Sequence, residues 1–300
     1  MEITDGPFMV DGFLVGHWTH PTAATGCTVV VAERPALAVA DVRGGAPGTR
    51  ELAVLDQGRL VQRVDAVLLS GGSAFGLAAA DGVVDWLSGR GRGFPTASVP
   101  VPIVPAAVIF DLEGPTPVVP RPESGFEAAE NAVPEGWISG AVGAGAGARS
   151  GKARGRGHSV RAGIGSARLA VEGGAVAALM VVNAFGDVVS AESGEELSAG
   201  GVEDALLNGG ADSPPGTNTT IGVVVVEADV DRDALVRIAV AAHDGLARAI
   251  RPSHTLVDGD TIFVLSVREG HAETATLLRL TAAAQIVVAR ATRNSVSAAR

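Results

Sequence analysis

One junction in this sequence places a possible nucleophile where a chain break would activate it. A polar segment rich in glycine and proline ends at Asn218, and Thr219 opens an apolar run, Thr219-Thr220-Ile221-Gly222-Val223-Val224-Val225-Val226, that is typical of a buried strand. Cleavage of the Asn218–Thr219 bond would give Thr219 a free α-amine beside its own hydroxyl. Nucleophile and base would then share one residue, which is the threonine form of covalent catalysis. The alternative is an ordinary loop that ends where a strand begins.

Three charged side chains elsewhere could serve such a nucleophile. Asp258 and Asp260 flank Gly259 just before a predicted strand that begins at Thr261. This triplet is either an ordinary turn or a pair of carboxylates that orient and balance an N-terminal ammonium. Lys152 lies between small residues, so its ammonium could approach a buried site closely and stabilise negative charge.

Other motifs in the chain depart from their patterns. Residues 145–153 partly match the phosphate-loop pattern G-x-x-x-x-G-K-[ST]. Ala146 stands in place of the first glycine, however, and Ala153 in place of the final Ser or Thr. The six histidines show no metal-binding H-E-x-x-H spacing. Ser73 lacks the second glycine of a nucleophile elbow, since Phe75 stands in its place, and we interpret Ser73 as a helix N-cap. We therefore expect no cofactor and no metal.

Composition narrows the class of protein. The chain has 300 residues, of which 47% are hydrophobic and 19% charged, so it can bury a large core. Its net charge of −10 argues against nucleic-acid binding, which requires a basic surface. The sequence contains no long uncharged apolar run and no secretory signal pattern. The expectation is a soluble cytoplasmic protein without a membrane partner, whose one cysteine, Cys27, is a buried strand thiol.

Hydrophobic periodicity predicts alternating strands and helices. Residues 190–217 are polar and acidic, and we interpret them as a mobile linker. The strand, helix, strand and helix that follow position 219 resemble a compact unit of their own. The predicted strands are 27–32, 36–42, 66–70, 164–171, 175–183, 220–227 and 261–267, and the predicted helices are 73–87, 124–134, 231–250 and 272–291.

Several stretches, in one order along nearly the whole chain, resemble a family of self-processing amide hydrolases. The family includes the DmpA-type L-aminopeptidase/D-esterases and the NylC-type hydrolases of nylon (6-aminohexanoate) oligomers. The stretches that carry the resemblance are 41–51 (DVRGGAPGTRE), 69–77 (LSGGSAFGL), 102–105 (PIVP), 143–148 (GAGAGA), 218–223 (NTTIGV), 242–248 (AHDGLAR) and 258–261 (DGDT).

The resemblance implies an α/β fold, the αββα sandwich of N-terminal-nucleophile hydrolases. It also implies that the chain is one domain over residues 1–300, made as a precursor and cut between Asn218 and Thr219. The products would be an α fragment, 1–218, and a β fragment, 219–300. A homotetramer of cleaved protomers is the assembly that the family suggests.

The catalytic set that the NylC branch implies maps onto five positions. Thr219 would be the nucleophile, with Asp258 and Asp260 beside it, and Lys152 and Asn183 would be the upstream counterparts. Asn183 could donate to the oxyanion, since a neutral amide N–H meets developing charge without reorganising. The substrate would be a small amide or peptide.

The chain departs from the aminopeptidase branch, and two alternatives remain open. That branch uses a serine nucleophile, a serine and a glutamate as partners and a tyrosine near the oxyanion, whereas this chain contains no tyrosine. The NylC branch is therefore the nearer one, although nylon oligomers need not be the natural substrate.

An acyltransferase of the ornithine-acetyltransferase type is one alternative function for this chain. A binding or assembly protein that never matures is the other.

Overall fold

The structure, a computed structural model, describes residues 3–113, 115–190, 193–198, 200–210 and 216–299. Fourteen strands lie in these ranges: β1 Ile3–Asp5, β2 Phe13–Thr19, β3 Gly26–Val42, β4 Thr49–Arg50, β5 Arg63–Ser70, β6 Ala106–Val108, β7 Arg149–Ser150, β8 Val160–Arg161, β9 Ile164–Val171, β10 Gly174–Asn183, β11 Asp187–Val188, β12 Thr219–Val226, β13 Ile250–Arg251 and β14 Thr261–Ser266. The α-helices of the same ranges are α1 Ala79–Ser88, α2 Pro122–Glu130, α3 Val202–Leu207, α4 Arg232–Ala247 and α5 Thr274–Ser297.

The long strand β3 joins two layers of sheet. Its first half pairs with β2 and β5, and its second half pairs with β14. The register with β5 shifts between Val31 and Ala36, where residues 33–35 are exposed and Pro35 has no N–H to donate. The hydrogen-bonded order β1-β9-β10-β12-β14-β3-β5-β6-β4 is therefore formally one sheet, with β2 added on β3, that folds over at this bend.

The alternation of side chains along β3 shows which layers lie on each side. Val30 and Ala38 both belong to the core between the two sheet layers, although they lie in different halves of the strand. On the opposite face, Val29 packs with α1 and α2, whereas Val39 packs with α4 and α5. Successive residues of a strand point to opposite faces, so the layer order is helix, sheet, sheet, helix. The expected αββα sandwich is thereby confirmed.

The sequence pattern suggests that the segment after position 218 is a compact unit of its own, but the structure shows that it is not. Strand β12 lies between β10 and β14, antiparallel to the former and parallel to the latter. All eight residues of β12 are buried, as expected for a run rich in valine with neighbours on both edges. The prediction of a separate unit is wrong because local periodicity does not reveal which earlier strand completes the sheet.

Two further expectations need correction. Ser73 is not an N-cap: it has a left-handed φ of 52° and opens the 3₁₀ helix Ser73–Ala78 that precedes α1. In the predicted linker, the described residues include the short helix α3, whose Val202 is buried against Ala153 and Phe185. Residues 191, 192, 199 and 211–215 of that segment lie outside the described residues.

The remaining strands and helices occur close to their predicted positions, and Cys27 is buried in β3. Over the part of the chain that the structure describes, no helix combines the length and the apolar character needed to cross a bilayer.

Candidate active site

The Asn218–Thr219 junction lies inside the protein, at the start of β12. Asn218 and Thr219 are 0% and 4% exposed, so this bond is shielded from bulk water. The Thr219 hydroxyl donates a hydrogen bond to the carbonyl oxygen of Asn218, the residue before it. The hydroxyl therefore touches the carbonyl group of the peptide bond that would have to be cut.

A main-chain donor reaches the same carbonyl from the Asp258-Gly259-Asp260 loop. The N–H of Gly259 donates to the Asn218 oxygen at 3.0 Å, within an isolated parallel bridge between Asn218 and Asp258. A fixed N–H in this position can stabilise negative charge on the oxygen when the carbonyl carbon is attacked. Nucleophile and oxyanion donor thus meet at one carbonyl.

The glycine-rich stretch 43–47 holds this loop in place through main-chain contacts. Arg43 N donates to Asp260 O at 3.0 Å, and Ala46 N donates to Asp258 O at 2.7 Å. Gly44 lies so close to the main chain of the Asp258–Asp260 loop that a Cβ on Gly44 would overlap it. The stretch is rich in glycine because two pieces of main chain must approach without side chains between them.

Asp258 is buried, and both oxygens of its carboxylate accept hydrogen bonds from neighbouring groups. Phe185 N donates to Oδ1 at 3.1 Å, while both the N–H (3.3 Å) and the hydroxyl of Thr255 donate to Oδ2. Burial and, to a lesser degree, the nearby charge of Asp260 together raise the pKa of Asp258 to about 6, against the lowering effect of these donors and of Lys152. Asp258 therefore changes its charge close to neutral pH.

Lys152 and Asn183 converge on the carbonyl one residue before the junction. Lys152 Nζ donates to Thr217 O at 2.7 Å, and Asn183 Nδ2 donates to the same oxygen at 3.3 Å. Asn183 is the β10 partner of Thr219 in the antiparallel register, and its amide also donates to Phe110 O at 3.0 Å. The structure thus brings both side chains to the junction, but their hydrogen bonds are to Thr217 rather than to Asn218.

Burial has a large effect on the charge of Lys152. Its side chain is almost wholly enclosed, and this desolvation lowers the pKa of Lys152 to about 7. The charge of Asp258 raises this pKa and the charge of Arg149 lowers it, both by less than burial does. At neutral pH a substantial fraction of Lys152 is therefore uncharged and able to accept a proton.

Asp260 is anchored by main chain and by a histidine. Thr220 N donates to Asp260 Oδ1 at 2.7 Å, one residue beyond the candidate nucleophile. His254 donates to Oδ2 through its main-chain N at 3.0 Å and through its ring Nδ1 at 2.7 Å. The His254 main chain has a left-handed φ of 56°, which lets both donors of one residue meet the same oxygen.

A second histidine packs against the first. The rings of His243 and His254 are 4.9 Å apart at 67°, and His243 Nε2 bonds to the carbonyl oxygen of Asp41 at 3.0 Å. Burial lowers the pKa of His243 to about 4, so its ring is neutral at physiological pH. A carbonyl can only accept, hence His243 Nε2 carries the proton.

Three contributors to this site were missed in the sequence: the N–H of Gly259, the hydroxyl of Thr255 and the ring of His254. A main-chain N–H leaves no residue-type signal at all. The histidines were judged by their spacing from one another, whereas the useful signal for His254 was its position six residues before Asp260. The five predicted side chains and the junction do lie within one connected set of hydrogen bonds and charges.

Two solved structures share this architecture. The L-aminopeptidase D-Ala-esterase/amidase of Ochrobactrum anthropi, described as a variant of the Ntn (N-terminal-nucleophile) hydrolase fold, aligns with a TM-score of 0.76 at 18% identity, over 99% of this chain and 88% of that one. A β-aminopeptidase of a Burkholderia species aligns with a TM-score of 0.70 at 19% identity, over the same shares. The fold is that of the Ntn hydrolases.

Sequence comparison identifies the family within that fold. The model of peptidase family S58 matches residues 2–300, so the chain belongs to this family and is a hydrolase of amide bonds. An uncharacterized aminopeptidase of Mycobacterium leprae is 42% identical over 298 residues, which cover 88% of this chain and 78% of that protein. The 6-aminohexanoate-oligomer endohydrolase of Paenarthrobacter ureafaciens is 30% identical over 282 residues, covering 87% and 75%.

Proposed function

We propose that this chain is a self-cleaving amide hydrolase that uses Thr219 as an N-terminal nucleophile. One observation carries the proposal: the Thr219 hydroxyl and the Gly259 N–H both meet the carbonyl oxygen of Asn218. The first reaction of the protein would then be on itself, and it would divide the chain into residues 1–218 and 219–300.

Self-cleavage proceeds by an N-to-O acyl shift. A bond forms between Thr219 Oγ1 and the Asn218 carbonyl carbon as the hydroxyl proton passes to a base, for which we assign neutral Lys152. Collapse breaks the C–N bond, and the nitrogen takes up a proton to become the amine of Thr219. Water then hydrolyses the resulting ester, which releases Asn218 as a carboxylate and restores the Thr219 hydroxyl.

The mature enzyme would repeat this chemistry on other amides. The free α-amine of Thr219, with a reference pKa of roughly 7.7–8.0, accepts the proton of its own hydroxyl near neutral pH. Thr219 Oγ1 forms an ester with the acyl part of the substrate, the amine part leaves with a proton, and water hydrolyses the ester. Asp260 lies one residue from this amine through Thr220 N and would help to hold it as an ammonium. Asn183 as a second oxyanion donor stays a prediction.

Small peptides and 6-aminohexanoate oligomers are the substrates to test first. The relatives are named as an aminopeptidase and as a 6-aminohexanoate-oligomer endohydrolase, and both names describe cleavage of an amide bond. Incubation of purified protein with an activated ester, followed by peptide mass mapping, should find the acyl group on Thr219. An acyl group on another residue, or on none while amides are hydrolysed, would disprove Thr219 as the nucleophile.

Replacement of His254 should show whether its ring acts as a hydrogen-bond donor to Asp260. Asparagine at this position places an amide N–H where Nδ1 lies and tolerates the left-handed backbone, whereas alanine offers neither. Loss of one charge-assisted hydrogen bond is typically worth about 1.5–3 kcal/mol. We therefore expect His254→Ala to slow self-cleavage by about 10- to 100-fold and His254→Asn to retain most of the rate. Equal rates for the two variants in a mass-resolved time course would contradict this role.

The rate of self-cleavage should rise with pH between about 5 and 8. Asp258 gains its charge near its raised pKa of about 6, and Lys152 becomes able to accept a proton near its lowered pKa of about 7. A charged Asp258 stabilises the protonated form of Lys152 and so helps Lys152 to accept the hydroxyl proton. Both changes therefore favour the reaction as pH increases, and the rate levels off once both groups have lost their protons. Purified precursor, made at low pH and shifted to each test pH, gives the rate by mass spectrometry.

A substitution at Thr255 tests the assignment of that limb. The Thr255 hydroxyl stabilises the Asp258 carboxylate, so Thr255→Val should raise the pKa of Asp258 and move the lower part of the limb to higher pH. Thr281→Val, which removes a hydroxyl bonded within α5, serves as the matched control and should leave the profile unchanged. A profile that is flat from pH 5 to 8, or a limb that Thr255→Val does not move, would contradict the assignment.

A further inference from the structure

The two main-chain carbonyls that lead into the junction are each bound by donors of the candidate site. Thr217 O accepts from both Lys152 Nζ and Asn183 Nδ2, at 2.7 and 3.3 Å. Asn218 follows, fully buried, with its own carbonyl bonded to Gly259 N. The carbonyl of Thr217 is therefore bound by Lys152 and Asn183, and the next carbonyl along the chain, that of Asn218, is bound by Gly259 N.

Self-cleavage and external hydrolysis require the same geometry at the nucleophile. In both reactions Thr219 Oγ1 must approach a carbonyl carbon whose oxygen faces Gly259 N. The acyl part of an external substrate therefore has to lie where residues 217–218 lie in the uncut chain. The donors that now hold Thr217 O are then free to bind a carbonyl of the substrate.

We propose that Lys152 and Asn183 form a carbonyl-binding subsite, and that the preferred substrates carry an amide carbonyl one residue before the bond that is cut. Such substrates are internal bonds of peptides or oligoamides, and N-acylated residues, rather than residues with a free amino terminus. The proposal rests on the proposed function, because it assumes that Thr219 is the nucleophile for external amides.

The charges around this subsite favour the same substrates. A free α-ammonium on the acyl residue would lie at the position of Asn218 N, beside Lys152, whose Nζ is bonded to the adjacent Thr217 O. A substrate with a free amine would place its ammonium against the charged fraction of Lys152 and would lose two hydrogen bonds.

Three 4-nitroanilides that differ only at the amino group test the subsite. N-Acetylasparagine anilide keeps the carbonyl, the desamino analogue (3-carbamoylpropanoyl anilide) lacks both carbonyl and amine, and asparagine anilide carries the free ammonium. We expect kcat/KM to fall by about 10- to 100-fold from the first to the second, as for loss of hydrogen bonds to a charged group. It should fall further for the third.

The binding of the product acids provides an independent measurement. N-Acetylasparagine should bind the purified, processed protein at least about tenfold more tightly than asparagine in calorimetric titrations, in line with the loss of such hydrogen bonds. Equal or faster hydrolysis of the free-amine anilide would overturn the carbonyl subsite and leave Thr219 as the nucleophile intact. A binding preference without hydrolysis of any anilide would support the subsite and count against the proposed function. Absence of both the preference and the hydrolysis would overturn both.

Discussion

Replacement of Thr219 by alanine should yield a protein that stays one chain of 300 residues, however long it is incubated. The variant retains the fold, because a methyl group fits where a buried threonine stood, but it lacks the oxygen that contacts the Asn218 carbonyl. Without that oxygen no ester can form, so cleavage falls from complete to undetectable rather than merely slowing. Denaturing electrophoresis and intact mass read the result directly.

Serine at position 219 is the matched control. It keeps the hydroxyl and loses only the methyl group, so the chain should still divide between positions 218 and 219, at a rate that reflects the freer side-chain rotation. Two fragments from the alanine variant would mean that another residue or a contaminating protease cuts the chain. That outcome would remove the basis for assigning Thr219 as the nucleophile.

Replacement of Gly259 by alanine should have an effect almost as large. The added Cβ would lie 2.6 Å from the carbonyl oxygen of Ala46 and 2.9 Å from Thr219 Oγ1, both closer than carbon approaches such atoms. The loop must shift, and its N–H then leaves the Asn218 oxygen. Loss of one oxyanion donor typically costs about 10²–10³ in rate, so we expect self-cleavage to slow by at least that factor.

Gly157 provides the control for this substitution. A Cβ on Gly157 would have no atom within 4 Å, so Gly157→Ala should leave both the stability and the cleavage rate unchanged. Thermal unfolding of both variants separates a local shift of the loop from a loss of the whole fold. A folded Gly259→Ala variant that is processed at the wild-type rate would show that this N–H does not stabilise the oxyanion.

The strands and helices were largely predictable because their hydrophobic patterns are strong. The valine run of β12 and the helical spacing of Leu235, Ile238 and Leu246 in α4 set their structure locally. The path of β3 from one layer to the other was not predictable. It depends on which strands pair with each half, and that information is spread over positions 13 to 266.

Local sequence singled out Thr219, Lys152 and the two aspartates, Asp258 and Asp260, as candidates. The family resemblance was needed to add Asn183 and to join the five side chains into one catalytic set. Nothing in the spacing of Lys152, Asn183 and Asp258 reveals that a sheet register and a loop bring them to one junction. The contribution of Gly259 could not be named at all, since it depends on a main-chain N–H. The contribution of His254 depends on a left-handed backbone conformation that residues other than glycine adopt infrequently.

The intact mass of the purified wild-type protein tests the central claim most directly. After incubation near pH 8 the account predicts two species, residues 1–218 ending in a free Asn218 carboxylate and residues 219–300 beginning with a free Thr219 amine. Sequencing of the new amino terminus fixes the junction to the residue. A protein that hydrolyses amides while its mass remains that of the full 300-residue chain would contradict the account.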